Sequence, residues 1–224
     1  MKFSFARKLA SEFLGTAILL AVVVGSGIMG EKLADGNAAI ALLANAIATG
    51  AGLTFLILSF GSISGAHFNP AVTITEALNE NLSWRAAVSY SAAQIAGAFC
   101  GVALANLMFQ LPVYFVSTKS RLGSALFLSE FVATFGLIAV IKTGVKFHPR
   151  YVFLMVAAYI TAAYWFTAST SFANPAVTLA RSVSDTFAGI APASVPSFIA
   201  AQMLGAIAAH LFFKWLLTEE KANV

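Results

Sequence analysis

Apolar residues run in long unbroken stretches along this chain instead of alternating with polar ones. Six stretches cover roughly residues 8–29, 38–60, 84–110, 123–143, 151–168 and 195–216, each near the ~20 residues that a helix needs to cross a bilayer. Segments such as 17–24 and 152–160 are continuously apolar, whereas a strand of a membrane barrel alternates over about ten residues. The spanning elements are therefore expected to be helices, which satisfy their backbone polar groups internally. Two shorter apolar pieces are left over, and both begin with the same tripeptide, Asn69-Pro70-Ala71 and Asn174-Pro175-Ala176, followed by Val and Thr. Asn is a good helix N-cap and Pro a good first helical residue, so each tripeptide predicts the start of a short helix.

The duplication extends beyond the tripeptides. Ser11-Glu12-Phe13 with Thr16 resembles Ser129-Glu130-Phe131 with Thr134, and Ala93-Gln94 with Gly97-Ala98 resembles Ala201-Gln202 with Gly205-Ala206. From Glu12, Asn69 and Gln94 the markers recur 118, 105 and 108 positions later, in the same order. This is a tandem repeat, within a single membrane domain over 1–224: repeat one about 1–115, repeat two about 120–224. Each half carries three spans, an odd number, so the second half enters the membrane from the opposite face. The expected fold is an all-α membrane protein with six transmembrane helices and two re-entrant half-helices in an inverted 3+3 repeat.

Inversion sends the half-helices in from opposite faces, and two half-spans of roughly ten residues add to one membrane thickness. Their amino ends are expected to meet near the midplane. Irregular backbone at that depth is tolerated only where it is buried in protein or lines a cavity. The residues before each Asn, Gly65, Ala66, His67 and Phe68 in one half and Thr170 to Ala173 (with Phe172) in the other, are thus expected to offer carbonyl oxygens to a water path.

Composition agrees: 59% of the residues are hydrophobic, 10% are charged, and the mean hydropathy is +0.85. Charge placement sets the orientation, because cytoplasmic loops carry the excess of Lys and Arg. Lys2, Arg7, Lys8, Arg85, Lys142, Lys146, Arg150, Lys214 and Lys221 fall on one side, against Lys32, Lys119, Arg121 and Arg181 on the other, nine to four. Both termini are expected in the cytoplasm, in a multi-pass protein of the cell membrane. The net charge of +4 follows from this topology and does not call for a nucleic-acid partner. Glu12 interrupts the first apolar run and no small-residue cleavage site follows, so that run reads as a retained span. Cys100, the single cysteine, lies mid-span.

At these residues the chain resembles the aquaporin, or major intrinsic protein, family. The stretch Ser64-Gly65-Ala66-His67-Phe68-Asn69-Pro70-Ala71-Val72-Thr73 carries the likeness, with Glu12, Glu130, Gln94 and Gly97 as span markers. The resemblance implies a homotetramer with one pore per subunit, in which the amides of Asn69 and Asn174 donate hydrogen bonds to a passing solute. It also implies filter positions at Thr49, Ala162, Ser171 and Val177. In most of the family an Arg follows the second Asn-Pro-Ala; here Val177 does. Four small side chains imply a wide filter and a passive channel for water and small uncharged solutes, polyols or neutral metalloid hydroxides such as arsenite, as in bacterial Arg-lacking members, some of them linked to arsenic handling.

Glu12 and Glu130 are intramembrane acids, which by default suggest a functional site. Their place in both repeats suits acceptors for loop N–H groups, with a proton relay as the other reading. Arg181, one turn after Val177, either reaches the mouth or is simply solvated. Nothing has the spacing of a metal site or pairs a nucleophile with a base, so neither an enzyme nor a cofactor is expected. A water-selective channel and, on the inverted repeat alone, a secondary transporter remain as alternatives.

Overall fold

The computed structural model describes residues 3–218; Lys2 and Lys221, counted in the charge asymmetry, lie outside them. Eight α-helices follow one another among these residues: α1 Phe5–Leu33, α2 Ala38–Ser64, α3 Pro70–Leu78, α4 Trp84–Met108, α5 Ser124–Phe147, α6 Val152–Phe166, α7 Pro175–Arg181 and α8 Val195–Leu216. Short 3-10 turns at Pro149–Tyr151 and Pro192–Ser194 lead into α6 and α8. Polar caps explain several starts. Ser4, Asn37 and Ser83 accept hydrogen bonds from Arg7, Ala39 and Ala86 backbone N–H groups, satisfying donors that a helix start leaves open.

Five helices, α1, α2, α4, α5 and α8, are long and apolar enough to cross a membrane. The stretch expected as a span over 151–168 forms α6, only 15 residues, or about 22 Å at 1.5 Å per residue. Its neighbours shorten it. Pro149 takes the chain out of α5 through a 3-10 turn, and Thr167 is already extended, handing the chain to the segment that dips back toward α7.

The halves pack alike. α1 lies against α4 and α2, α5 against α8 and α6, and α2 meets α6 across the halves. Repeat-related glycines permit the closest crossings. A Cβ on Gly97 would lie 2.2 Å from the Phe13 carbonyl oxygen, and one on Gly205 2.4 Å from that of Phe131. Only a residue without a side chain lets the backbones come so near. Large apolar side chains on the outer faces, including Leu58, Val88, Leu128 and Leu211, are exposed, as suits contact with lipid.

The ends of the bundle differ. On the side where α1 begins and α8 ends, here the terminal side, Lys142 Nζ donates to Asn79 Oδ1 (2.9 Å) and Lys146 Nζ to the Leu217 carbonyl (2.5 Å). On the opposite side the segment after α4 pairs with the segment after α7: Phe115 N–H donates to Val183 O (3.0 Å) and Ser117 N–H to Ser182 O (2.9 Å). There Asp185 accepts from Thr118 N–H at 2.9 Å, and that bond holds its carboxyl below the usual carboxylate range.

Candidate solute conduit

Each short helix is entered through strained backbone. Gly65 (φ 98°), Ala66 (50°) and Phe68 (49°) precede α3, and Thr170 (62°), Ser171 (50°) and Ala173 (48°) precede α7. Left-handed backbone costs roughly 1–2 kcal/mol for a residue with a Cβ, so these loops need an external hold. Two carboxylates provide it. Glu12 accepts from His67 N–H (3.1 Å), Phe68 N–H (2.7 Å), Ser64 Oγ (2.6 Å) and Gln94 Nε2 (2.8 Å). Glu130 accepts from Phe172 N–H (2.9 Å), Ala173 N–H (2.9 Å) and Gln202 Nε2 (2.6 Å). Gln94 and Gln202 also donate to Thr73 and Thr178, on α3 and α7. Both acids have zero exposure, and their oxygens are occupied by backbone and amide donors.

The helix tips are joined reciprocally. Asn69 Oδ1 caps its own helix at Ala71 N–H (2.9 Å), while its Nδ2 donates across to the Ala173 carbonyl (2.8 Å). Asn174 Oδ1 caps Ala176 N–H (3.0 Å), while its Nδ2 donates back to the Phe68 carbonyl (2.8 Å). An amide nitrogen carries two hydrogens, so one per Asn is left after the cross-link. Each helix start also presents roughly half a positive charge.

A cavity of about 770 Å³ runs past these tips. Its walls are helical stripes at four-residue spacing: Thr49, Leu53 and Ile57 on α2, and Val152, Val156, Ile160 and Tyr164 on α6. Gly65, Ala66, His67, Phe68, Asn69, Ser171, Phe172, Ala173, Asn174 and Val177 also line it. Pro70, Ala71, Pro175 and Ala176 stand behind the wall, buried at the helix starts. Thr170 lies off the wall, in a turn closed by its N–H to the Thr167 carbonyl (3.1 Å).

Two sequence expectations change here. Ala162 is exposed on the outer face of α6 and does not reach the cavity. It stands two residues, about 200° of helix, from the stripe that ends at Tyr164, and Tyr164 takes the expected place. Its hydroxyl lies 3.2 Å from Thr49 Oγ1. Arg181 is not solvated. It is buried at 2% exposure, lines the cavity, stacks on the Phe172 ring at 3.4 Å from the ring centre, and donates through Nε to the Ala188 carbonyl. The neck is therefore not a ring of four small side chains. The four-residue rhythm of bulky residues over 152–164 was the signal for Tyr164. No local signal marks Arg181, because the loop that receives it closes only in three dimensions.

The Major intrinsic protein family matches residues 1–150. Aquaglyceroporin AqpS of Rhizobium meliloti (strain 1021) is 53% identical over 216 residues, 96% of this chain and 92% of that one. The chain belongs to the major intrinsic protein family. Aquaporin NIP3-1 of Oryza sativa subsp. japonica is 35% identical over 146 residues, a match spanning 62% of this chain and 44% of the plant protein. In structure the chain is similar to the aquaglyceroporin from Plasmodium falciparum, with a TM-score of 0.75 and 23% identity over 96% of this chain and 97% of that one; that likeness speaks to the fold. As a major intrinsic protein the chain is an integral multi-pass membrane protein and not an enzyme. Among the described residues no group of His, Cys, Asp or Glu could hold a metal ion.

Proposed function

We propose that the chain is a passive transmembrane channel for water and small uncharged solutes, polyols and neutral metalloid hydroxides such as arsenite among them. The observation that carries this reading is the cavity that runs from Lys214 and Leu217 on the terminal side past both Asn tips to Val177 and Arg181. Asn69 and Asn174 each keep an amide hydrogen for a passing oxygen, and carbonyls of the 65–68 and 171–173 segments accept from it. The facing helix starts repel cations and orient each water outward from the midplane, which interrupts a proton wire. Thr49, Ser171 and Val177 belong to the filter in this reading, with Tyr164 in place of Ala162. Glu12 and Glu130 act as scaffold. Their oxygens are filled by loop donors, which argues against a coupling-ion site and so against a secondary transporter.

The aquaglyceroporin AqpS likeness supports solutes larger than water. The chain is further proposed to assemble as a homotetramer in the cell membrane, with the terminal side cytoplasmic and the domain divided into repeats at 1–115 and 120–224. Swelling of proteoliposomes in water-only, glycerol and arsenite gradients tests the solute class. Flux of all three is expected. A second reading, a water-selective channel, is favoured by Tyr164 and Arg181 at the neck, and water flux without solute flux would establish it against the first.

A further inference from the structure

The cavity has a definite end. Its wall includes Arg181 but no residue of the 109–123 or 182–194 segments that cover the side opposite the termini. Arg181 therefore stands at the boundary between the conduit and the outer loops. Its guanidinium is held on two sides: the Phe172 ring lies beneath it, and the Ala188 carbonyl accepts from Nε. The receiving loop is itself fastened. Arg121 donates from Nε to the Gly189 carbonyl (3.0 Å) and from Nη1 to the Ser169 carbonyl (3.2 Å), over the same Phe172 ring. Ser184 Oγ donates to Asn106 Oδ1 (2.9 Å) beside it.

What Arg181 does not do is equally informative. Among the described residues neither of its Nη groups donates a hydrogen bond to the protein, and no carboxylate pairs with it. A buried guanidinium keeps five N–H donors, and leaving donors unmet in a low-dielectric site is unfavourable. Here they border the cavity, where an oxygen of water or solute can meet them. Just inside stand the Thr49 and Tyr164 hydroxyls and Ser171, whose Oγ is buried without a partner. Arg181 lies four residues, one helical turn, beyond Val177, so its Cα stands about 6 Å further along α7 while its guanidinium lies over the Phe172 ring.

We propose that Arg181 is the specificity-determining residue of the conduit: its guanidinium closes the end opposite the termini, sets the size limit there, and selects solutes whose oxygens accept from its Nη groups. This rests on the conduit reading above. The clamp holds the planar fork in one orientation, so passage requires a solute to slip past a fixed cation. Lysine, a flexible point charge, retains the positive field without the flat barrier.

The test is proteoliposome flux for a graded series of linear polyols, glycerol through xylitol, together with water, on the wild type and on Arg181→Gln, Arg181→Ala and Arg181→Lys, each checked for monodispersity and thermal unfolding. The largest polyol admitted is expected to increase in all three, with the xylitol-to-water permeability ratio rising about tenfold, the rate equivalent of about 1.4 kcal/mol of barrier. The Lys variant is expected to go on excluding small cations better than the Gln variant, a difference that a purely structural role would not produce. Should Arg181→Ala fail to fold, the Gln and Lys variants carry the comparison. Wild-type water flux with an unchanged size limit in the folded variants overturns this inference alone. Absence of wild-type water flux overturns the conduit reading and this inference with it.

Discussion

Replacing Glu130 by Gln changes the hold on the α7 loop with almost no change of shape. The carboxylate accepts from Phe172 N–H and Ala173 N–H, both at 2.9 Å, and from Gln202 Nε2 at 2.6 Å. An amide turns one acceptor into a donor aimed at another donor. One charge-assisted bond, worth about 1.5–3 kcal/mol, is lost and the others fall toward the neutral value of about 1 kcal/mol, while the relieved desolvation of the buried charge offsets part of this, leaving roughly 2–4 kcal/mol. The left-handed backbone at Ser171 and Ala173 stores roughly 1–2 kcal/mol each, the same order as the lost hold. The loop therefore relaxes, and the Ala173 carbonyl turns away from Asn69. Stopped-flow light scattering on proteoliposomes is expected to give water permeability reduced about tenfold or more. The unfolding midpoint in detergent is expected to fall by about 4–16 °C, from roughly 2–4 °C per kcal/mol at this chain length. Unchanged midpoint together with permeability within about twofold of wild type would refute the idea that Glu130 holds the loop.

Other substitutions probe separate links. Val177→Arg puts a second guanidinium one turn from Arg181 on the same face of α7; solute flux is expected to drop far more than water flux, and equal flux before and after would remove Val177 from the constriction. Gly97→Ala forces a Cβ to within 2.2 Å of the Phe13 carbonyl oxygen and is expected to destabilise by about 1–3 kcal/mol in thermal unfolding, whereas Gly61→Ala, which meets nothing within 4 Å, leaves the midpoint in place. The Asp185 carboxyl is lowered chiefly by Thr118 N–H, so its contribution is present above the ordinary carboxylate range, about pH 4, and is lost as pH falls through the lower folded value. Exchange of the Thr118 amide, referenced to a neighbouring exposed amide, is therefore expected to accelerate in Asp185→Asn at neutral pH and in the wild type only in strong acid.

Much of the architecture was legible because it was written twice. Glu12 and Glu130, Asn69 and Asn174, Gln94 and Gln202 each recur in order, and an odd number of apolar stretches per copy forces the inversion. The caps at Asn69 and Asn174 were readable from three residues. The neck was harder. Counting back from Asn174 selected Ala162, but the extended segment from Thr167 uses up residues without adding helical rotation, so the wall of α6 ends at Tyr164. Arg181 stands between Ala180 and Ser182 and close to a loop, a pattern compatible with solvent or with burial. Its fate depends on Ala188 and Phe172 arriving from either side, and neither contact is local in sequence. The cross-links from Asn69 to Ala173 and from Asn174 to Phe68 were equally hidden, since each joins residues more than a hundred positions apart.

Those two cross-links also bear on biogenesis. When the first half leaves the ribosome, Asn69 has a donor without this acceptor and Phe68 an acceptor without this donor until residues 173 and 174 are made. Unmet backbone and amide groups are poorly tolerated in a membrane, so the nascent first half gains its lasting shape only when the second arrives. The passage through the membrane is completed last, and the unfinished chain has no finished hole through which the cell could leak.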